Sequence, residues 1–333
     1  MALTQVDQGL LGTYAQYTGF KNRIINGGMV ISQRNGTSTV TPADGDYTLD
    51  RWQAKAGASS KYSVAQSTTA PTGFINSLLV TSLSAYTVGS AEAFSIRQAI
   101  EGLNTYDLDW GTASAKTVTL SFWVRSSLTG TFGGSIFNVA ANYSYPFTYT
   151  ISSANTWTQI NVTITGPTSG TWATNNTAGV YVVFGLGVGS TLSGTAGSWA
   201  SATYISATGA TSVVGTNGAT FYLTGVQLEK GSTATSFDYR PYGTELQLCL
   251  RYFENSNGGG GTASSGDAFV VDTNNDFKSF QFKVGKRANP TMGALLIAGG
   301  TGAAIGGQSQ ASFYIGSANS TPSTFGWTAS SEL

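Results

Sequence analysis

The chain of 333 residues contains no histidine and a single cysteine, Cys249. The first absence removes Ser-His-Asp and Cys-His catalysis, imidazole zinc ligation and histidine pH switching together. The second removes any internal disulfide. Charge is also scarce: Asp, Glu, Lys and Arg make up 10% of the sequence, against about 25% in ordinary soluble domains. Sixteen bases balance sixteen acids, so the basic field that non-specific nucleic-acid binding needs is missing. No apolar run approaches the ~20 residues of a spanning helix, so no membrane insertion is expected. The segment from Met1 to Leu11 has neither the basic start nor the apolar centre of a secretory signal. The expectation is a protein made in the cytoplasm, polar mainly through Ser, Thr, Asn and Gly.

What is present is strand after strand. Val118, Leu120, Phe122 and Val124 alternate with polar residues, as do Ile160, Val162 and Ile164, the period of half-buried strands. Val180, Val182, Phe184, Leu186 and Val188 form one face of a further strand, while Gly185, Gly187 and Gly189 lie on the other. Glycines there let another backbone or a ligand approach closely. In Phe221–Leu228 the apolar phase slips at Gly225, which predicts a bulge. Turn dipeptides such as Asn35-Gly36, Asp44-Gly45 and Asn217-Gly218 punctuate the runs. With no long amphipathic helix to serve as a crossover, the pattern predicts an all-β protein, a sandwich or jelly roll.

Two segments depart from that pattern. Leu3, Val6, Leu10, Tyr14 and Tyr17 recur at helical spacing, but Gly9 and Gly12 weaken a helix there, so residues 1–20 read either as a frayed arm or as an arm that orders on a partner. Leu246, Cys249, Leu250 and Phe253 recur likewise after a Thr244/Gln247 capping-box pattern, predicting a short helix with Cys249 as a buried apolar residue. The domain expectation is therefore an arm at 1–20, a jelly roll at 21–243, a short helix and Gly-rich linker at 244–261, and a small β domain at 262–333. That last region holds few large apolar residues, so it is expected to lean on the large domain or on copies of itself.

Several motifs resemble a recurrent family of tailed-bacteriophage tail-fibre or fibre-like virion proteins. They are Asn22-Arg23-Ile24-Ile25-Asn26-Gly27 through Gln33-Arg34, Tyr47-Thr48-Leu49-Asp50-Arg51-Trp52, and Leu120-Ser121-Phe122-Trp123-Val124-Arg125-Ser126. Thr224-Gly225-Val226-Gln227-Leu228-Glu229, Phe237-Asp238-Tyr239-Arg240-Pro241-Tyr242 and Glu245–Phe253 follow in the same order. The resemblance spans roughly residues 20–254. It implies a carbohydrate-binding-module-like jelly roll in a non-enzymatic virion component, with the arm docked on the particle. A homotrimer, other virion proteins at the tail or neck, and host surface glycans are the partners it implies. A head-decoration or collar fibre with a purely structural role and a glycan depolymerase are the alternatives. Within the motifs, Arg51 is expected to pair with Asp50 or Glu229 under the cover of Trp52.

Sugar recognition by a neutral sandwich needs aromatic planes beside amide and carboxyl groups. Trp110 near Asp107 and Asp109, Tyr143 and Tyr145 after Asn142, Trp172 before Asn175 and Asn176, and Trp199 have this company. The competing reading is that these rings cover the ends of the core. For glycoside cleavage, Asp107 with Asp109 and Glu92 with Glu101 are the acid pairs at hand, and they read better as solvated turn acids. Asp272-Thr273-Asn274-Asn275-Asp276 imitates the start of a calcium loop, but Phe277 and Lys283 stand where the glycine and glutamate belong. No catalytic residue, metal site or cofactor is expected, although a structural calcium ion whose ligands the sequence does not place is compatible with a jelly roll.

Overall fold

The computed structural model describes residues 20–140, 142–256, 269–271, 277–298, 303–317 and 323–333. The predicted arm residues Leu3, Val6, Leu10, Tyr14 and Tyr17 lie outside them, as do Gly258–Gly261 and the Asp272–Asp276 segment.

The large unit is built from β1 (Tyr47–Leu49), β2 (Trp52–Ala56), β3 (Tyr62–Ser67), β4 (Ser77–Ser82), β5 (Ala93–Glu101), β6 (Val118–Ser126) and β7 (Gly130–Asn138). It continues with β8 (Ser144–Ile151), β9 (Thr158–Ile164), β10 (Ala178–Val188), the two-residue strands β11 (Ser193–Gly194) and β12 (Ser206–Ala207), and β13 (Thr220–Lys230). Six strands form one antiparallel sheet in the order β1-β2-β5-β10-β7-β8, and five form the other in the order β3-β4-β13-β6-β9. The fold is the expected all-β jelly-roll sandwich. Alternation dictates the layering: Leu120, Phe122 and Val124 from β6 meet Val182, Phe184 and Leu186 from β10 between the sheets, all fully buried. Phe122 anchors this core, with its ring 5.0 Å from Phe184 and 5.1 Å from Tyr149, both edge-on.

Both glycine readings hold. Gly225 adopts φ +61°, and the pairing of β13 with β6 skips from Thr224↔Trp123 to Gln227↔Ser121. Two residues thus oppose one, a bulge with a left-handed glycine. The slip turns Phe221, Leu223, Val226 and Leu228 all into the core. On the outer face of the six-stranded sheet, a Cβ on Gly133 would meet Ser206 and Ala207, and one on Gly185 would stand 2.9 Å from Ser206 Oγ. The excursion carrying β11 and β12 lies against those glycines.

After β13 the chain forms α1 (Tyr242–Leu250), then β14 (Phe253–Asn255), β15 (Phe269–Val271), β16 (Phe277–Gln281), β17 (Thr291–Ala298), β18 (Ala303–Gly306), β19 (Ser312–Ser317) and β20 (Ser323–Ser330). The helix differs from expectation at both ends. It starts at Tyr242 behind Pro241, with no side-chain cap, so Thr244 and Gln247 form no capping box: proline fixes an extended entry and the helix begins before Thr244. Phe253 lies on β14, not on the helix, and is buried against Arg34, whose guanidinium stands 3.6 Å from its ring. Cys249 is buried among Ile25, Ile31 and Tyr252, and burial raises its thiol pKa well above the usual value. Strand β14 pairs with β20, so the C-terminal unit is joined in one sheet to residues next to α1. Among its described residues, Phe282, Phe313, Ile315, Trp327 and Ala329 form a core cluster.

The family-resembling motifs meet in space and hold this architecture together. Asn22 donates to Val226 O (3.1 Å) and accepts from Ile24 N and Leu228 N, stitching the chain entry to β13. Asn26 spans Ile31 and Asp50 O (2.8 and 3.0 Å), and Asp50 accepts from Gln33 N and Nε2, both at 2.6 Å. Arg240 donates to the carbonyls of Asn22 and Ile24 and pairs with Glu245. The expected partner of Arg51 is corrected. Asp50 is occupied by Gln33, and Glu229 by Gln227 and Thr235. Arg51 instead pairs with Glu332, donates to Ala99 O and lies 3.6 Å from the Tyr252 ring. Trp52 does not cover that pair; it points into the core and donates to Asn26 O (3.0 Å). The reason is geometric: Asp50 and Arg51 make the two-residue turn between Leu49 and Trp52, so their side chains diverge.

The C-terminal unit leans on the large one as expected. Arg34 and Arg51 share Glu332, Tyr47 Oη donates to Leu333 O, and Arg287 exchanges hydrogen bonds with Asn176.

Two outcomes follow. Gly225→Ala is expected to lose about 1–3 kcal/mol, from forcing a side chain into the left-handed region and against Phe74; the shift of the denaturant midpoint at constant slope measures it. Arg51→Ala, which removes one of the two guanidiniums on the buried Glu332 carboxylate and leaves Arg34, is expected to lose about 1.5–3 kcal/mol, by the same unfolding measurement.

Candidate functional site

The five aromatic residues nominated from sequence come from four separate connections and gather at one end of the sandwich. Trp110 follows two short 3-10 turns after β5, Tyr143 directly precedes β8 and Tyr145 lies near its start, Trp172 sits between β9 and β10, and Trp199 sits in the excursion after β10. The ring of Trp199 is the hub: 5.7 Å from Trp110, 5.6 Å from Trp172, 5.3 Å from Tyr145, and stacked on Tyr143 at 5.5 Å with an interplanar angle of 13°. Trp110 and Trp172 meet edge to face at 4.8 Å. The rings that look scattered in sequence form one cluster.

Most of that aromatic surface is spent internally. Trp110 is buried, and Trp172, Trp199 and Tyr145 pack half-buried on the main core. Each indole N–H already donates to a backbone carbonyl: Trp110 to Lys116 (2.8 Å), Trp172 to Ser169 (3.1 Å) and Trp199 to Thr165 (2.7 Å). Burial raises the Tyr145 phenol. Trp110 and Trp199 therefore close the end of the core, and Trp172 borders a cleft of about 190 Å³ in front of it. Tyr106, Asp109, Thr112 and Thr174 line the rest of that cleft. Tyr106 is 62% exposed, so its ring face is free to meet a ligand. The Asp109 carboxylate is half-exposed and stands 3.8 Å from Lys116 Nζ.

The acid pairs do not form opposed pairs across a cleft. Asp107 is gripped by Arg23 through two hydrogen bonds (2.7 and 2.8 Å) and approached by Lys230 at 3.5 Å. Burial raises its pKa, but the Arg23 hydrogen bonds and the two positive charges outweigh this and hold it below the ordinary carboxylate range. Glu101 is buried under Arg251 (2.6 Å) and Tyr252 Oη (2.7 Å), while Glu92 accepts from Tyr86 Oη and Gly89 N. Among the described residues no group of three or more Cys, Asp or Glu side chains is placed to hold a metal ion, and no helix is long and apolar enough to cross a membrane.

Sequence reasoning missed two features. Tyr106 was hidden because it belongs to a short 3-10 turn with no periodicity. The other lies on the outer face of the six-stranded sheet, where Arg97 stands 5.0 Å over Tyr181, Tyr181 stacks on Phe137 at 5.0 Å, and Arg97 donates to Gln53 Oε1 (2.8 Å). A tyrosine on the glycine-bearing face of β10 was the available signal.

A scan against protein-family models finds no match, and no curated protein matches in sequence. Among solved structures, the chain is similar to a candidate sugar-binding protein from Bacteroides thetaiotaomicron, with 14% identity over 63% of this chain and all of that one, TM-score 0.37. It is similar to the enzymatically active domain of tailspike protein 4 from bacteriophage CBA120, with 14% identity, TM-score 0.32, over 63% of this chain but 21% of the tailspike chain. It is also similar to a family 11 carbohydrate-binding module of a Clostridium thermocellum cellulase, with 12% identity over 60% of this chain and 99% of the module, TM-score 0.29. Likenesses this distant carry neither ligand nor activity to this chain.

The burial difference separates structural from contacting rings. Trp110→Ala is expected to lose about 3–5 kcal/mol of stability, whereas Tyr106→Ala stays within about 0.5 kcal/mol. Paired denaturation curves check both.

Proposed function

We propose that this chain is a non-enzymatic, fibre-type component of a phage particle that contacts host-surface glycans through the Tyr106–Trp172 cleft. The convergence of aromatic residues from four connections onto one end of a rigid sandwich carries the reading. Such a surface offers a sugar ring an exposed phenol face, an indole edge and a carboxylate. At about 190 Å³ the cleft is below the ~300–1,000 Å³ of sites that engulf a drug-sized ligand, so it suits one ring of a longer glycan that continues over Tyr106.

The virion assignment is supported by the ordered motif set at residues 22–34, 47–52, 120–126 and 224–253, whose polar side chains act together as the frame of the fold. In this reading residues 1–20 dock on the particle, the jelly roll forms the body, the C-terminal unit projects, and three copies assemble. Synthesis takes place in the host cytoplasm and the finished protein resides in the virion. A purely structural collar or decoration fibre is favoured by one observation: all three clustered indole N–H groups are already satisfied by backbone.

Binding to an array of bacterial surface polysaccharides distinguishes these. The glycan reading expects a bound polysaccharide whose affinity falls about tenfold or more, ~1.4 kcal/mol, in Tyr106→Ala with folding intact. Binding to none, or binding indifferent to Tyr106→Ala and Trp172→Ala, leaves the structural fibre. Light scattering is expected to give three times the chain mass of 34.5 kDa, and released oligosaccharide on incubation with the bound polysaccharide would overturn the non-enzymatic reading.

A further inference from the structure

Three cations of this sparsely charged chain meet at one pocket. The segment before β1 runs beside the end of β13: Asn22 Nδ2 donates to Val226 O (3.1 Å) and Arg23 N to Leu228 O (2.9 Å). That pairing sets Lys21 and Arg23 next to Lys230, and the three line a pocket of about 250 Å³ with Glu229, Thr235 and Ser236. The acids at hand are already engaged. Glu229 is buried and accepts from Gln227 Nε2, Thr235 N and Thr235 Oγ1 at 2.9, 2.9 and 2.6 Å. Asp107 takes both Arg23 hydrogen bonds and the approach of Lys230. Lys21 Nζ donates to the carbonyl of Ser236, a neutral acceptor, and no carboxylate of the described residues pairs with it. Arg23 also keeps a buried Nε without a hydrogen-bond partner. Three cations thus meet two engaged carboxylates, and the positive charge left over sits on a part-exposed lysine.

The pocket adjoins the glycan cleft through one turn. Arg23 Nη1 donates to Asn104 O (2.7 Å) and Lys230 Nζ to Asp107 O (3.1 Å). Those two residues bracket Thr105 and Tyr106, which line the cleft. Resting on the glycan reading, we propose that the polysaccharide is acidic: it crosses Tyr106, and a carboxylate or phosphate group on it enters the pocket between Lys21 and Lys230. Lys21 Nζ and the exposed Ser236 hydroxyl donate to the anion, and Lys230 adds its field. Charge-assisted hydrogen bonds of this kind are roughly twice as strong as neutral ones. The basic pocket therefore selects acidic polymers, whereas the Tyr106 face and Trp172 edge accept a sugar ring of any charge.

An array of bacterial polysaccharides sorted into neutral, carboxylate-bearing and phosphate-bearing polymers tests this. Binding is expected in the acidic classes alone, weakening about fivefold between about 0.05 M and about 0.3 M NaCl as salt screens the contact. Carbodiimide activation and borohydride reduction turn carboxylates into neutral alcohols. That treatment is expected to abolish binding of a carboxylate-bearing polymer and to spare a phosphate-bearing one, which assigns the anion. Lys21→Gln is expected to weaken acidic-polymer binding about tenfold, the effect of losing one hydrogen bond to a charged group, with the unfolding midpoint unchanged. Lys21→Arg, which keeps the charge, is expected to restore it. A neutral polymer bound as tightly as any acidic one overturns the proposal, as does affinity indifferent to Lys21→Gln. If Tyr106→Ala still weakens binding in either case, the glycan reading stands without the basic pocket. Binding to no polymer removes both.

Discussion

The structure depends on where a chain poor in charge places the few ionic groups it has. Arg51 and Glu332 meet in a nearly dry junction, with Arg34 on the same carboxylate and Tyr252 beneath the guanidinium. Close by, Arg251 and Tyr252 hold Glu101, and Lys286 holds Glu254 at 2.5 Å. Taking such groups out of water is expensive, and the pairs repay it only with good geometry and saturated hydrogen bonds. They tie the parts together: Glu332 to Arg34 and Arg51, Glu101 to Arg251 beside the helix, and Glu254 to Lys286 in the distal β unit.

The same economy explains the motifs. Asn22, Asn26, Gln33 and Gln227 are buried amides whose side chains each bond backbone groups of another segment. Amides do this without the desolvation cost of an ion. Asn26-Gly27, Asp50-Arg51-Trp52 and Gln227-Leu228-Glu229 are the sequence marks of that hydrogen-bonded frame. The aromatic end adjoins that frame, since Arg23 of the first motif holds Asp107 beside Tyr106.

Much of the sandwich was legible because strand alternation and the phase slip at Gly225 are local signals. Leu120, Phe122, Val182 and Phe184 declare their face within a few residues. The partner of Arg51 was not legible: Glu332 lies 281 positions away, and nothing nearby marks Asp50 as already engaged. The helix cap misled for a related reason, since Pro241 sets the entry by backbone geometry and leaves Thr244 without a role. The aromatic candidates were named singly and not seen as one group, because four loops meet only after both sheets have closed. Tyr106 was invisible, its exposure being set by a 3-10 turn and not by any repeat.

The separation of Arg51 from Glu332 has a consequence for biogenesis. At ribosomal rates of ~5–20 residues per second, the 281 residues from Trp52 through Glu332 take roughly 15–55 s to synthesise. Throughout that interval the emerging sandwich holds a guanidinium site with no counter-ion, and the closing turn between β1 and β2 lacks its anchor. The turn between β1 and β2 is therefore anchored only after Glu332 has been made, and a product truncated before that residue carries an open seam.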